Sequence, residues 1–354
     1  MKRFKTLCLA VLSFLLVLAL SACGQSTSGG EQKGGTSNQS SNQSSQSSTD
    51  QLIKLELAQS TDGFLWVPVY VARAKGFFKE VGLDVNVTIT GGGSKTLAAV
   101  LGGSADFGAA SVSDAMDATH QGKPVLSFAA LMNQYGSNVV VKKAIAEQKG
   151  ITESSSYEDK AKLLKGLKVG VTAPGSGTDR VVRMIAESVN LNPDKDMTIV
   201  PLGSGSAMVS AFKQGQIDAF CISSPSAETG IIEGDGMMLF NLSKGEVPKL
   251  DGITYTALIA TEDYINKHPD IIEKITNAMY KACEFIKNDK EGTKEVLRGF
   301  FTEVDEKVFD AAFEANYPAF PTTPVISKEG YEKNIDFQGI NVPYEKGVYS
   351  KYFK

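Results

Sequence analysis

Short runs of glycine, serine and threonine recur through this 354-residue chain: GGGS at 91–94, SVSD at 111–114, GSGTD at 175–179, GSGS at 203–206 and SS at 223–224, with QSTDGFLW at 59–66. The chemistry these residues support is recognition. Glycine lets backbone N–H groups approach a ligand closely, a hydroxyl both donates and accepts, and a helix N-terminus favours negative charge. Taken singly, each hydroxyl is better explained as a helix cap, and convergence on facing edges is what would make a site. Trp66, the only tryptophan, suits core packing and ligand stacking equally. Nucleophilic and metal chemistry have little to draw on: the only histidines are His120 and His268, and there is no Cys-x-x-Cys. No catalytic residue, metal or cofactor is expected. GSGT at 175–178 lacks the Gly-Lys-Ser/Thr ending of a phosphate loop.

The elements that carry these runs can be read from periodicity. Residues 54–57 and 83–89 alternate as half-buried strands do, and a helix-like segment at about 65–75 lies between them, stopped by Gly76. That unit predicts parallel strands joined by a right-handed crossover. Further strands are expected at 125–131, 167–171, 197–202, 238–242 and 255–260. A long helix follows His268-Pro269, with Ile271, Ile275, Met279, Ala282 and Ile286 on one face. One phrase is written twice, 112 residues apart: Gly91, Gly93, Ser94, Gly103, Asp106 and Ser111 recur without a gap as Gly203, Gly205, Ser206, Gly215, Asp218 and Ser223. Each copy reads as a glycine turn, a helix, a glycine stop and a short apolar strand. Two such units predict two lobes across a cleft, residues 52–141 with 256–354 as lobe 1 and 142–255 as lobe 2, with a loop-like stretch at 144–165. The chain then crosses between lobes twice, a hinge geometry. Ligands of open α/β sheets bind beyond the carboxyl ends of strands, where the glycine and serine runs would fall.

The N-terminus indicates export. Lys2, Arg3 and Lys5 precede a nearly unbroken apolar run at 7–20, and Leu20-Ser21-Ala22-Cys23 resembles the bacterial lipobox. A signal peptide at 1–22 and lipidation of Cys23 follow, with the protein anchored at the extracytoplasmic face of the cell membrane. The apolar run is shorter than the ~20 residues of a membrane span. Residues 24–51 hold no aliphatic or aromatic side chain, so a disordered tether is expected over 23–51. Loss of the signal's three cations takes the net charge from −4 to −7, which argues against nucleic acid or anionic lipid as partner. Cys221 and Cys283 are expected as buried free thiols, since a bridge between them would freeze the hinge. A monomer is expected.

The stretch from Phe64, FLWVPVYVARAKGFFKEVGLDV, together with GGSADFG at 102–108 and GQIDA at 215–219, resembles the nitrate/sulfonate/taurine-type substrate-binding proteins of ABC importers, whose superfamily includes thiamine-pyrimidine binders. The resemblance covers about residues 52–290. It implies a two-lobed type II periplasmic-binding-protein fold, each lobe a mainly parallel sheet flanked by helices, and an ABC permease with its ATPase as partners. Carrying over the family's pocket places Asp62, Trp66, Gly93, Ser94, Ser111, Ser113, Ser176, Gly177, Thr178, Gly203 and Ser204 near the ligand. Helix N-termini with Lys95 and Arg180 nearby point to a small oxyanion, sulfonate or carboxylate. Asp62, Asp114 and Asp179 lie in the same loops, so the alternative is a neutral or amino-bearing planar heterocycle such as a thiamine-type pyrimidine. An enzyme like the pyrimidine synthases of related fold is the less favoured third reading.

Overall fold

Two five-stranded sheets built to one plan organise residues 51–354, the part of the chain that this computed structural model describes. The signal peptide, Cys23 and the tether up to residue 50 lie outside the described residues.

The first sheet begins with β1 (Ile53–Gln59), α1 (Val67–Ala74), α2 (Phe77–Glu80), β2 (Leu83–Ile89), α3 (Gly93–Leu101), β3 (Phe107–Ser111), α4 (Val112–His120) and β4 (Val125–Met132). The chain then crosses to the second sheet, built from β5 (Ser137–Lys142), α5 (Lys143–Gln148), α6 (Tyr157–Lys162), β6 (Lys168–Val171), α7 (Gly177–Glu187), β7 (Thr198–Pro201), α8 (Gly205–Lys213), β8 (Ala219–Ser223), α9 (Ser226–Ile232) and β9 (Gly236–Phe240). It returns through β10 (Thr256–Thr261) and ends in α10 (Glu262–Lys267), α11 (Pro269–Asn288), α12 (Lys290–Phe300), α13 (Glu306–Asn316), α14 (Lys328–Gln338) and α15 (Tyr344–Gly347).

The strand orders are β2-β1-β3-β10-β4 and β7-β6-β8-β5-β9. In each sheet one strand runs against the other four. That strand, β10 or β5, is the first to arrive after a crossing, and it pairs antiparallel with both neighbours. β1 pairs parallel with β2 and β3, as β6 does with β7 and β8. The sheets are therefore mainly parallel in direction and mixed in pairing. β3, β4 and β8 are buried along their whole length, which explains their largely apolar sequences.

The doubled phrase occupies the same place in both sheets. Gly91 and Gly203 turn with φ of 81° and 80°, and Gly103 and Gly215 stop α3 and α8 with φ of 71° and 69°. The two aspartates also match: Asp106 Oδ2 accepts the Glu56 N–H at 2.7 Å, and Asp218 Oδ2 accepts the Lys168 N–H at 2.8 Å. Each fastens its strand to the neighbouring one where the ladder begins.

Two expectations need correction. The boundary between 141 and 142 cuts through β5, whose partners are β8 and β9, so residues 137–141 belong with lobe 2 and the first crossing is at 133–136. The stretch at 144–165 contains α5 and α6. The C-terminal helices mostly cover the first sheet, with the predicted face of α11 buried. One of them, α13, also reaches lobe 2, where Asn316 Nδ2 donates to Ser224 Oγ at 2.8 Å. Cys221 and Cys283 are buried free thiols. Among the described residues, no helix is long and apolar enough to cross a membrane.

Candidate functional site

The carboxyl edges of the two sheets face each other and are drawn together. Phe64 N–H donates to Ser224 O at 2.8 Å, Ser94 Oγ to Pro174 O at 3.3 Å, and Tyr135 Oη to Gly177 O at 2.6 Å. Between the lobes lies a small cavity, about 20 Å³ to the centre of a water-sized sphere, room for about one water. Lobe 1 lines it with Ser60, Thr61, Leu65, Trp66, Gly93, Ser111, Asp114 and Thr256, lobe 2 with Ser137, Thr172, Gly177, Thr178 and Ile222, and the second crossing with Tyr255. A ligand larger than water therefore needs the lobes to part before it can enter.

The floor of this cleft is made where the chain crosses. Tyr135 from the first crossing stacks on Tyr255 from the second, with centroids 3.8 Å apart and planes 21° from parallel. Ser137 Oγ lies 3.1 Å from Tyr255 Oη. Burial raises the phenol pKa of both tyrosines, so both are neutral hydrogen-bonding groups.

The lobe 2 wall is a closed set of hydroxyls. Thr172 Oγ1 lies 2.8 Å from Ser176 Oγ and 2.9 Å from Thr178 Oγ1, and Thr178 Oγ1 accepts the Thr172 N–H at 3.0 Å. Ser176 also donates to Ala173 O at 2.7 Å, so it shapes the turn before α7. On lobe 1, Ser111 caps α4 by accepting the Asp114 N–H at 3.3 Å, and its Oγ lies 2.9 Å from Ser113 Oγ. Trp66 is buried and borders the cavity, while its indole N–H reaches Thr61 Oγ1 at 3.4 Å. It is core and cavity wall at once.

Arg180, on α7, binds lobe 1. Its guanidinium donates to Ser113 Oγ at 3.0 Å and Asp114 Oδ1 at 3.0 Å, and also pairs with Asp117. Burial works against the arginine's charge, and the two aspartates more than offset it, leaving its pKa raised. Burial also pushes the Asp117 carboxyl above its ordinary range, although Arg180 pulls it down. Of the two cations expected near the cleft, Arg180 is thus already paired. An anion placed ~4 Å from the Asp114 carboxylate would meet repulsion on the order of 4 kcal/mol at an effective dielectric of about 20.

Of the eleven expected site residues, Trp66, Gly93, Ser111, Gly177 and Thr178 line the cavity. Ser113 and Ser176 stand behind it in the hydrogen-bond network. Four others do not line it. Asp62, in the bend after β1, lines instead an outer groove with Ser206 and Phe301. Ser94 is exposed on the second residue of α3. Gly203 and Ser204 are half-buried at the mouth, where Gly203 faces Gly91 and Ser204 caps α8 through the Ala207 N–H at 3.2 Å. The lining residues outside the expected set are Ser60, Thr61, Leu65, Asp114, Ser137, Thr172, Ile222, Tyr255 and Thr256. Ser137 and Thr256 sit on the reversed strands, whose amino ends lie at the edge where the other strands have their carboxyl ends. A rule that looks only for helix N-termini passes over them.

Comparison with known proteins agrees with this architecture. The chain is 26% identical over 288 residues to the binding protein YtlA of Bacillus subtilis (strain 168), spanning 79% of this chain and 81% of that one. It is 26% identical over 232 residues to the 4-amino-5-hydroxymethyl-2-methylpyrimidine phosphate synthase THI13 of Saccharomyces cerevisiae, spanning 63% of this chain and 64% of the synthase. Among solved structures, a Bordetella bronchiseptica RB50 protein superposes with a TM-score of 0.75 at 25% identity, covering 85% of this chain and 96% of that one. The alkanesulfonate-binding protein SsuA of Xanthomonas axonopodis pv. citri, bound to MOPS, gives 0.63 at 17% identity over 80% of this chain and 90% of its own. The fold is the two-lobed periplasmic-binding-protein fold, and a family model matches residues 64–298: the chain belongs to the NMT1-like family.

Proposed function

We propose that this chain is an extracytoplasmic solute-binding lipoprotein that captures a small molecule between its lobes and hands it to an ABC import permease and its ATPase. The observation that carries this reading is the cavity itself. It lies between the lobes, it is lined from two sheets of identical topology, and the stacked tyrosines of the two chain crossings, about which such lobes can part, adjoin it. Its polar lining is chiefly hydroxyls and backbone, which suits reversible hydrogen bonding better than bond making. Neither His120 nor His268 lines it, and burial raises the thiol pKa of both Cys221 and Cys283, the latter to about 12. These features favour a binder over a synthase-like enzyme.

The sequence reading favours a small oxyanion, sulfonate or carboxylate as ligand. A second reading, a neutral or amino-bearing planar heterocycle, has a specific observation behind it: Arg180 is already engaged by two aspartates, and Trp66 borders the cavity. A thermal-shift screen of the full chain against sulfonates, inorganic oxyanions, aromatic acids and pyrimidines tests the binding reading. At least one class should raise the melting temperature in a concentration-dependent way, and failure of every class would remove it. Anchoring is tested separately. Cys23→Ser should abolish incorporation of a palmitate analogue and leave the precursor uncleaved, and undiminished label in the variant would refute the lipid anchor.

A further inference from the structure

The seam between α9 of lobe 2 and α13 of lobe 1 carries a chain of buried polar groups that the small cavity does not use. Asn316 Nδ2 donates to Ser224 Oγ at 2.8 Å, and Ser224 Oγ donates in turn to Glu228 Oε1 at 2.8 Å. Alongside, the Phe64 N–H of lobe 1 donates to Ser224 O at 2.8 Å. Glu228 is 8% exposed, and its other oxygen, Oε2, is buried without a hydrogen-bond partner. Among the described residues no cation pairs with it, and burial raises its pKa, the bonds from Ser224 and Asn316 pulling the other way. α9 packs against β5, β8, β9, α8 and α13. The charges on those elements are engaged elsewhere or exposed. Lys142 donates to Gly234 O, Lys213 pairs with Glu233, Asp310 with Lys294 and Glu314 with Lys290, while Glu306 and Lys307 are exposed. Asp62 and Glu303 lie in the outer groove beside Thr229.

An ionised Glu228 in this seam has one oxygen without a donor and no counter-charge, a costly state, whereas the protonated acid is only a polar group. Parting the lobes draws α13 away from α9 and lets water reach Oε2. Ionisation therefore disfavours the closed form more than the open one. We propose that Glu228 is a proton-operated latch: protonated, it holds α9 against α13 and keeps the lobes together; ionised, it loosens the seam and lets them part. This rests on the reading of the lobes as a hinged pair around a solute site, and it adds that the solute is held more tightly at low pH than at high. The latch's stabilisation is fully present below the ordinary carboxyl value of 4.5 and is lost as pH rises through the raised value of the closed form.

Hydrogen–deuterium exchange of the full chain reads the latch without a ligand, because opening the seam releases the Phe64 N–H from Ser224 O. Wild type and Glu228→Gln are compared at the same pH, so the base catalysis of exchange cancels. At Phe64 the two should exchange alike at about pH 4, and the wild type at least ~5-fold faster at about pH 8, the low end of leaving a buried acceptor unmet. The amides of β3, at the centre of the first sheet, report unfolding of the whole chain. A pH-dependent difference in β3 but not at Phe64 would mean that Glu228 titrates only on unfolding, which overturns the latch and leaves the hinge standing. No difference at either place overturns it equally. If Phe64 is as protected as β3 at every pH, the lobes do not part short of unfolding, and both readings fail. The wild type alone gives a second measurement should the variant not fold. Its exchange at Phe64, corrected for the pH dependence of a free peptide amide, rises with pH if the latch operates and stays constant if it does not.

Discussion

At the scale of single residues, hydroxyls that bind and hydroxyls that cap should part company on mutation. Thr178 lines the cavity, whereas Ser204 caps α8 away from it. Thr178→Ala should weaken ligand binding by about 1–2 kcal/mol for one buried hydrogen bond. Ser204→Ala should lower apo stability by about 1 kcal/mol and leave affinity unchanged. Calorimetry paired with apo melting temperature separates the two, and equal losses of affinity would show that the cavity wall has been drawn in the wrong place. Which residue types could bind was legible in the sequence, because Trp66, Gly93, Ser111, Gly177 and Thr178 all fall in the glycine and serine runs. Which way each side chain points was not. Thr61 faces the cavity and Asp62 the outer groove, a difference set by how β1 runs on into the next loop. Asp114 and Arg180 could both be noted near the cleft, but their pairing joins two elements 66 residues apart and exists only once the lobes meet.

At the scale of elements, α9 and α13 meet through a buried carboxyl. Glu228 Oε1 accepts from Ser224 Oγ at 2.8 Å, Asn316 Nδ2 also reaches Ser224, and Glu228 Oε2 has no partner. Burial raises this carboxyl's pKa above its ordinary 4.5, with the hydrogen bonds from Ser224 and Asn316 pulling the other way. The folded state therefore holds the proton more tightly than the unfolded chain. The stabilisation is fully present below about pH 4.5 and is lost as pH rises through the raised folded value. Glu228→Gln keeps a neutral group at every pH, so its melting temperature should gain on the wild type as pH rises across that window. Parallel pH-melting series check this, and a constant difference would mean that Glu228 is not titrating there. The strands were largely legible: β2 matches its alternating segment at both ends, and the doubled phrase falls on equivalent turns, helices and strands. β5 was not. Its apolar core is short, it follows a crossing rather than a helix, and only its pairing with β8 and β9 assigns it to lobe 2.

At the scale of the whole molecule, the lobes meet around a cavity of about 20 Å³, too small for a sulfonate or a pyrimidine. The bound state must therefore be somewhat less closed than this structure, and an open state must be accessible for entry. Cross-lobe contacts such as Arg180 with Asp114 form only on closure, so a ligand that touches both walls shifts the population toward the closed form. The two crossings, joined by the Tyr135–Tyr255 stack and by the Gln134 bonds to Leu242 O at 2.9 Å and from Gly252 N at 2.8 Å, would form the axis. The most direct measurement is small-angle X-ray scattering of the full chain, without and with a saturating amount of the compound that gives the largest thermal shift. The radius of gyration should fall on binding, with Trp66 fluorescence changing over the same concentration range. Saturated binding that leaves the scattering unchanged would contradict a cleft that closes on its ligand.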